Sequence, residues 1–300
     1  MEQIARPLHR LFAAALGVSA VLAGTSALAE VRVTIQDRDV ARTISLGGSC
    51  NRCELSGRNL SGATFNGATF ISATLVGSNL RGAEMMGSNF SSSDFSRADM
   101  RDVEITGANF TGSIFVDTSM TGASSSGALF SRANFSRANL SSAELMGANM
   151  NGAVLVDANL SNAELMGSTL ANVNARNASF ANAELMASNM SGGDFTNANF
   201  ENAEMDNARL TGGTFARANF NNASLRRVDI RGVDLSRARG LNQDQVSEAC
   251  GDETTRLPGG LRAGPCRGRT IVRAPVTPRA PAAPRPPSPP AIIRHYAAAE

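Results

Sequence analysis

From Leu55 to Leu235 every fifth residue is suited to burial, and the register does not slip once. Leu, Phe, Met or Ile fills 35 of those 37 positions, and Ser125 and Ala175 are the two exceptions. Thirteen of the 14 Phe stand there. Two residues earlier comes a small side chain: Ala in 22 cases, otherwise Ser, Val, Gly, Thr or Cys, with Arg58 the one misfit. Neither common element accommodates this period. On an α-helix five residues advance by about 140° per step, which spreads the large side chains around the whole circumference. On a strand an odd step sends them alternately to opposite faces. A chain that turns a corner every five residues brings them all to one axis. The position two after each large residue suits such a corner: it holds 16 Gly, 8 Asn and 3 Asp, types that accept positive φ readily.

A second period fixes the number of corners. The text Gly82-Ala-Glu-Met-Met-Gly-Ser-Asn-Phe90 recurs in variants from Ala143, Ala163, Ala183 and Ala203, and the shortest spacing is 20 residues, or four pentapeptides. A coil of four faces stacks equivalent residues above one another, and successive coils pair as parallel strands about 4.8 Å apart. The repeats make about nine coils and a rod about 44 Å long at that rise. A leucine-rich repeat is set aside, because its L-x-x-L-x-L text is missing.

The motif reads Ala138-Asn139-Leu140-Ser-Ser, Ala158-Asn159-Leu160-Ser-Asn and Ala198-Asn199-Phe200-Glu-Asn. It resembles the A-(D/N)-L-x-x motif of the pentapeptide-repeat family over about 190 residues. The resemblance implies an all-β fold, a right-handed quadrilateral parallel β-helix. In it the large residue and the small one before it face inward, and the other three positions face solvent.

The ends read differently. Residues 1–29 form a signal peptide: Arg6, His9 and Arg10 give a basic start, 11–24 are apolar but short for a span, and Ala27-Leu28-Ala29 is a small-residue cleavage site. An uncleaved anchor is the alternative. The mature chain is then exported, to the bacterial periplasm or beyond, and is free of the membrane. Residues 30–49 read as an N-terminal cap with a leading strand (Val31, Val33 and Ile35 alternate), 50–239 as the β-helix, and 240–268 as a C-terminal cap. In that cap, 241–249 suit a short helix with Gly251 as its stop. The text from Cys250 resembles an extension that follows the repeats in many bacterial pentapeptide proteins. Residues 269–300 are a disordered Pro/Ala/Arg-rich tail, with eight of the 11 Pro between Pro275 and Pro290.

Four cysteines allow three connectivities. A bridge needs Cα atoms within about 7 Å, and the two pairs flank opposite ends of a long rod. That leaves Cys50–Cys53 and Cys250–Cys266, consistent with export. A redox or zinc reading of Cys50-Asn-Arg-Cys53 lacks a surrounding βαβ unit, and the second pair has the wrong spacing for a zinc ribbon.

The absences bear on function. The chain has no Lys and no Trp; its two His are His9 and His295, and its one Tyr is Tyr296. The repeat body therefore offers no histidine base, no Schiff-base or phosphate-gripping lysine and no histidine ligand. Stacked coils present convex faces, whereas catalysis needs concavity. The chain reads as a non-enzyme without cofactor or resident metal. Within 54–240 there are 17 acidic residues and 14 Arg, a net −3 against +2 for the whole chain. The resemblance also brings an alternative, a DNA mimic that binds gyrase. The mixed charge and the signal peptide argue against it. Nucleic acid as a partner lacks an Arg row interleaved with exposed aromatics.

One face is not generic. Glu84, Glu104, Glu144, Glu164, Glu184 and Glu204 fall in one outward column, and Met86, Met146, Met166 and Met186 in another, two residues along. Carboxylates about 4.8 Å apart repel by roughly 0.9 kcal/mol even at the dielectric of water. Outward Met is unusual, since Met normally fills core gaps. Tandem duplication copies such columns without use. The functional reading is a flat contact surface for an unidentified protein or for self-association. Thioethers suit Cu(I) and carboxylates Ca²⁺, but neither column shows a closed coordination set.

Overall fold

The structure, a computed structural model, describes residues 48–266. The segments expected to be a signal peptide (1–29), nearly all of an N-terminal cap (30–49), the last two residues of the C-terminal cap (267–268) and the tail (269–300) lie outside the described residues.

Most pentapeptides satisfy four of their N–H groups in the same way, and 79–83 show the full pattern. The N–H groups of Leu80 and Gly82 donate forward to Asp99 O (2.7 Å) and Arg101 O (2.9 Å) of the next coil. That of Asn79 donates back to Arg58 O at 2.9 Å, and that of Ala83 closes the turn on Leu80 O at 2.9 Å. The fifth N–H, of Arg81, donates to Oδ1 of Asn79 at 3.1 Å. The same Asn or Asp contact recurs at Asn89, Asp94, Asn109, Asn139, Asn159 and Asp194. This explains the D/N of the motif: no coil supplies an acceptor for that N–H, so a short side chain does.

The corners are left-handed. From Gly57 to Gly232, the residue two after each large one has φ between +54° and +72°, whatever its type; Ala187 sits at +56° and Arg97 at +58°. The coil imposes this conformation, at a cost of about 1 kcal/mol where Cβ is present. Coils pair in parallel with a constant offset of 20 residues, from Ser49↔Thr69 to Asn219↔Arg239. Within the repeat, contact on most faces is a single bridging residue. Regular pairing over three residues occurs between β1 (Ser124–Ser126) and β2 (Glu144–Met146). The coil in which Ser125 replaces a large residue thus pairs over more consecutive residues than most.

We number the faces by their inward residues: face 1 holds Phe65 to Leu225 at every twentieth position, face 2 Phe70 to Ile230, face 3 Leu75 to Leu235 and face 4 Leu80 to Phe220. Both inward columns are buried almost throughout. Phe70, Phe90, Phe110 and Phe130 stack on face 2 with centroids 5.0–5.7 Å apart. Phe95, Phe115 and Phe135 stack beside them on face 3, at 5.0 and 4.7 Å. Rings of the two stacks meet edge to face. A second pair of stacks uses faces 3 and 4 instead, with Phe195–Phe215 and Phe180–Phe200–Phe220. Ala175 stands between the two sets. Gly193 and Gly213 occupy small inward positions because a Cβ there would lie 2.6 and 2.7 Å from the Phe195 and Phe215 rings. Buried Ser93, Ser113 and Thr118 donate to carbonyls of Phe70, Phe90 and Phe95 at 2.7 Å. The hydroxyls of Ser125, Ser168 and Ser188 have no hydrogen-bond partner among the described residues.

At the C-terminal end the register breaks. Asp229 bridges Cys250 and Asp234 bridges Arg256, so the offset grows to 21 and then 22 residues. The first extra residue enters in the segment that holds α1 (Gln243–Glu248), and the second between Cys250 and Arg256. The N-cap of α1, Asn242, and its N3 residue Gln245 form a reciprocal capping box. Nε2 of Gln245 also donates to Phe220 O and Ala223 O, both at 2.9 Å, covering the Ala223 carbonyl that a next coil would otherwise bond, while Phe220 O also accepts the turn N–H of Ala223. Next come β3 (Cys250–Gly251), a 3₁₀ turn (Pro258–Gly260) and β4 (Gly264–Pro265), parallel to β3. Gly251 is not the left-handed stop expected from sequence. It is required by close approach, since a Cβ there would lie 2.6 Å from that of Ala263. Cys50–Cys53 and Cys250–Cys266 are disulfides, with Cα separations of 5.5 and 4.5 Å.

Candidate functional site

The Glu/Met columns flank the inward column of face 1, because residues on either side of a buried one point outward. The bridges Glu84↔Glu104, Glu144↔Glu164, Glu164↔Glu184 and Glu184↔Glu204 place these carboxylates on neighbouring coils. Met86, Met146 and Met166 are 40–42% exposed. Met186 is half-buried, less open than the sequence implied. The column is interrupted where Thr106 and Ser126 replace Met, and it ends in Asp206 and Arg226. The adjoining corner runs Gly67, Gly87, Gly107, Gly127, Gly147, Gly167, and a Cβ at any of them would touch nothing. Face 1 is thus bordered on its Met side by bare backbone.

Charge separates this face from the rest. Every ion pair among the described residues joins an Arg to an Asp. The corner after face 3 alternates Arg97, Asp117, Arg137, Asp157 on successive coils. There, Nε and a terminal nitrogen of Arg137 donate to both oxygens of Asp117, at 2.7 and 2.9 Å. That contact holds the Asp117 carboxyl below its ordinary range. Arg101 does the same for Asp99, and Arg231 for Asp229. Burial disfavours the charged form of Asp206, but hydrogen bonds from Arg226 and Ser224 outweigh it. The Glu column is different. Glu84 accepts from Asn66 Nδ2 at 3.0 Å and Glu144 from Ser124 Oγ at 3.3 Å. Glu204 lies in the field of Arg226. Glu104, Glu164 and Glu184 have no hydrogen-bond or ion-pair partner among the described residues. The backbone N–H of Met86 donates to Oδ1 of Asn66 on the preceding coil, at 2.7 Å, whereas those of Met166 and Met186, like those of Val116 and Val156 on face 3, have no acceptor among the described residues.

Sequence reasoning missed a groove of about 750 Å³ beside the cap, lined by Arg209, Arg227, Asp229, Arg231, Glu248 and Cys266 among others. It arises from the register break, which the pentapeptide pattern does not encode. It contains carboxylates and guanidiniums but no histidine, lysine or free thiol. No group of three or more His, Cys, Asp or Glu among the described residues is arranged to hold a metal ion.

These features meet the comparisons with known proteins. Models of pentapeptide repeats match residues 49–85, 83–122, 126–162 and 163–202, and a second such model matches 195–239. The chain belongs to the pentapeptide-repeat family. No curated protein matches it. Among solved structures it is similar to HetL, a pentapeptide-repeat protein involved in heterocyst differentiation regulation in the cyanobacterium Nostoc sp. strain PCC 7120. The identity is 22% over 75% of this chain and 93% of HetL, with a TM-score of 0.59. It also matches a trypsin-treated variant of QnrB1, a plasmid-mediated fluoroquinolone resistance protein, at 21% identity over 63% of this chain and 91% of that one, with a TM-score of 0.41. The HetL likeness shows the shared pentapeptide-repeat solenoid.

Proposed function

We propose that this pentapeptide-repeat protein is exported by the leader at 1–29 and acts as a non-catalytic rod, about nine coils long, that binds a protein partner through face 1. One observation carries the reading: the ion pairs among the described residues all join Arg to Asp, and they leave the six Glu of one outward column without an ion pair, with Glu104, Glu164 and Glu184 lacking a hydrogen-bond partner as well, beside exposed Met and a glycine corner. Met adapts to irregular partner surfaces, and unpaired like charges at coil spacing weaken the free rod, which a partner would relieve. The two disulfides support an oxidising destination. The gyrase-mimic alternative has no comparable support, because signs alternate along the face 3 corner.

The test is the triple variant Met146→Asp, Met166→Asp, Met186→Asp. Met166→Asp alone should stay within about 0.5 kcal/mol of the parent, as for a free surface position, and the triple variant should lose more, because it stacks three carboxylates at coil spacing and replaces half-buried Met186. Capture of partners from periplasmic extract, or self-association in sedimentation, should fall by tenfold or more, since desolvated anchors dominate interfaces. Unchanged assembly and unchanged partners would leave tandem duplication as the sufficient account of the columns.

A further inference from the structure

We propose that face 3 seats a second copy of this chain, in a two-fold dimer whose rods pack antiparallel, face 3 on face 3. Its outward residues are the first argument. Ile114 with Val116, and Val154 with Val156, flank inward residues of face 3, and among the described residues no other inward residue has large apolar side chains on both outward sides. Ile114 is 39% exposed and the three Val are half-buried. These coils alternate with polar ones: Asp94 with Ser96, Asn134 with Ser136 and Asn174 with Arg176. The apolar coils have dropped the Asn or Asp that takes the backbone N–H two residues on, a bond that Asp94 and Asn134 keep at 2.8 and 3.0 Å. A free rod gains nothing from that exchange, whereas a face covered by another apolar face does.

Symmetry is the second argument. A two-fold axis through the Asn134 coil, at right angles to the rod, reverses the order of coils and leaves the strand direction unchanged. Ile114 then meets Val154 of the second copy, Val116 meets Val156, and polar coils meet polar coils. Charge fits the same register. Along the corner after face 3, Arg137 is bonded to Asp117, but among the described residues Arg97 has no ion pair, and Asp157 accepts from Asn177 Nδ2 at 2.9 Å without one. In the dimer Arg97 stands one coil from Asp157 of the second copy, the same step that Arg137 spans to Asp117 within its own chain. Asp117 shares a level with that Asp157, and the two Arg137 side chains lie between the two Asp pairs, so levels of opposite sign alternate along the seam. The axis lies near mid-rod, and the copies overlap over the nine coils from Glu54 to Thr214. That is about 38 Å of rod, five extended residues or about 16 Å across, and so about 600 Å² a side, the lower limit of a specific interface. The dimer is therefore reversible. Face 1 lies on the opposite side of each rod and stays free, so this inference does not rest on the functional reading.

Cross-linking of the full chain tests both the dimer and its register. No cysteine among the described residues is free, so one added thiol is a specific handle. Ser136→Cys lies at the axis and faces its mate across faces about 10 Å apart. Ser96→Cys lies two coils from the axis, which puts its mate about 19 Å away along the rod. A short thiol-to-thiol cross-linker should join Ser136→Cys chains and give at least tenfold less product with Ser96→Cys. Adding Ile114→Asp and Val154→Asp to the Ser136→Cys chain should lower its product at least tenfold. These two changes restore the carboxylate that takes the N–H at Asp94 and Asp194, so urea unfolding should show the rod intact. No product with Ser136→Cys, equal product with Ser96→Cys, or product that survives the paired Asp changes would each overturn the proposal. The Ser136 and Ser96 comparison needs no change to the apolar coils and stands whatever those changes do to the fold. Cross-linking at Ser136→Cys reports face 3 alone, so it should persist in the triple Met→Asp variant while the partners of face 1 are lost. Loss of the cross-link in that variant would place the contact on face 1 and overturn the proposal, and failure of the functional reading is read separately, from partner capture.

Discussion

The repeat body and the C-terminal cap are held together by different means. In the body, 79–83 and their counterparts repeat one set of main-chain bonds, and side chains matter at three positions: large inward, small inward, and the Asn or Asp that takes the fifth N–H. In the cap no distance repeats, and individual side chains set the structure. Asn242 and Gln245 cap α1, Gln245 covers the open ladder, and the Cys250–Cys266 bridge ties the chain back. Asp252 gathers bonds from Thr254, Thr255 and Gly232. A periodic structure spreads its stability over many equivalent contacts, whereas an aperiodic end concentrates it in a few.

Core truncation should have the largest effect. Phe115 is fully buried and touches the Phe95, Phe110, Phe130 and Phe135 rings. Phe115→Ala should cost about 3–5 kcal/mol in urea unfolding. A loss below 1 kcal/mol would mean that the stacks are not the core of the rod. The double change Cys250→Ser and Cys266→Ser should cost less, about 3 kcal/mol at most in the chain-entropy model. Hydrogen exchange should then rise in 241–266 while ladder amides such as those of Phe110 and Phe130 keep their protection. Equal loosening of both regions would erase the distinction between body and cap.

The smallest effect concerns acid. Asp252 has its carboxyl lowered to about 2, chiefly by the hydrogen bond from the Thr254 hydroxyl. A carboxyl with a depressed folded pKa contributes stability that is complete above its unfolded value, near 4, and is lost as pH falls toward about 2. The parent should therefore exceed Asp252→Asn in stability at pH 6, and the gap should close by pH 2. A gap of the same size at both would show that Asp252 acts by shape and not by charge.

The two regions also differ in how far they can be read from sequence. The corner positions, the four-face coil and both inward columns are legible because the spacing is strict and the buried residue types are few. The role of the motif's Asn was not, since its value lies in one N–H that only the assembled coil leaves without an acceptor. In the cap the helix and cysteine pairs were readable from local signals. The register shift was not, and neither were the role of Gly251 and the groove beside Asp229, because they depend on how an aperiodic segment meets the last coil. Face 1 was visible as two columns of letters, but its lack of ion-pair partners needed the positions of Arg137 and its equivalents.

The central claim is that 20 residues make one closed turn with interchangeable coils. Deleting 163–182 joins Asn162 to Ala183 and keeps every column aligned. Deleting 163–167 rotates all that follows by one face. Small-angle scattering of the two variants beside the parent is the most direct measurement. The account predicts that the first stays folded and cooperative with a rod shorter by about 4.8 Å, and that its face 1 remains continuous. A 20-residue deletion that unfolded the rod, or left its length unchanged, would contradict the four-faced coil.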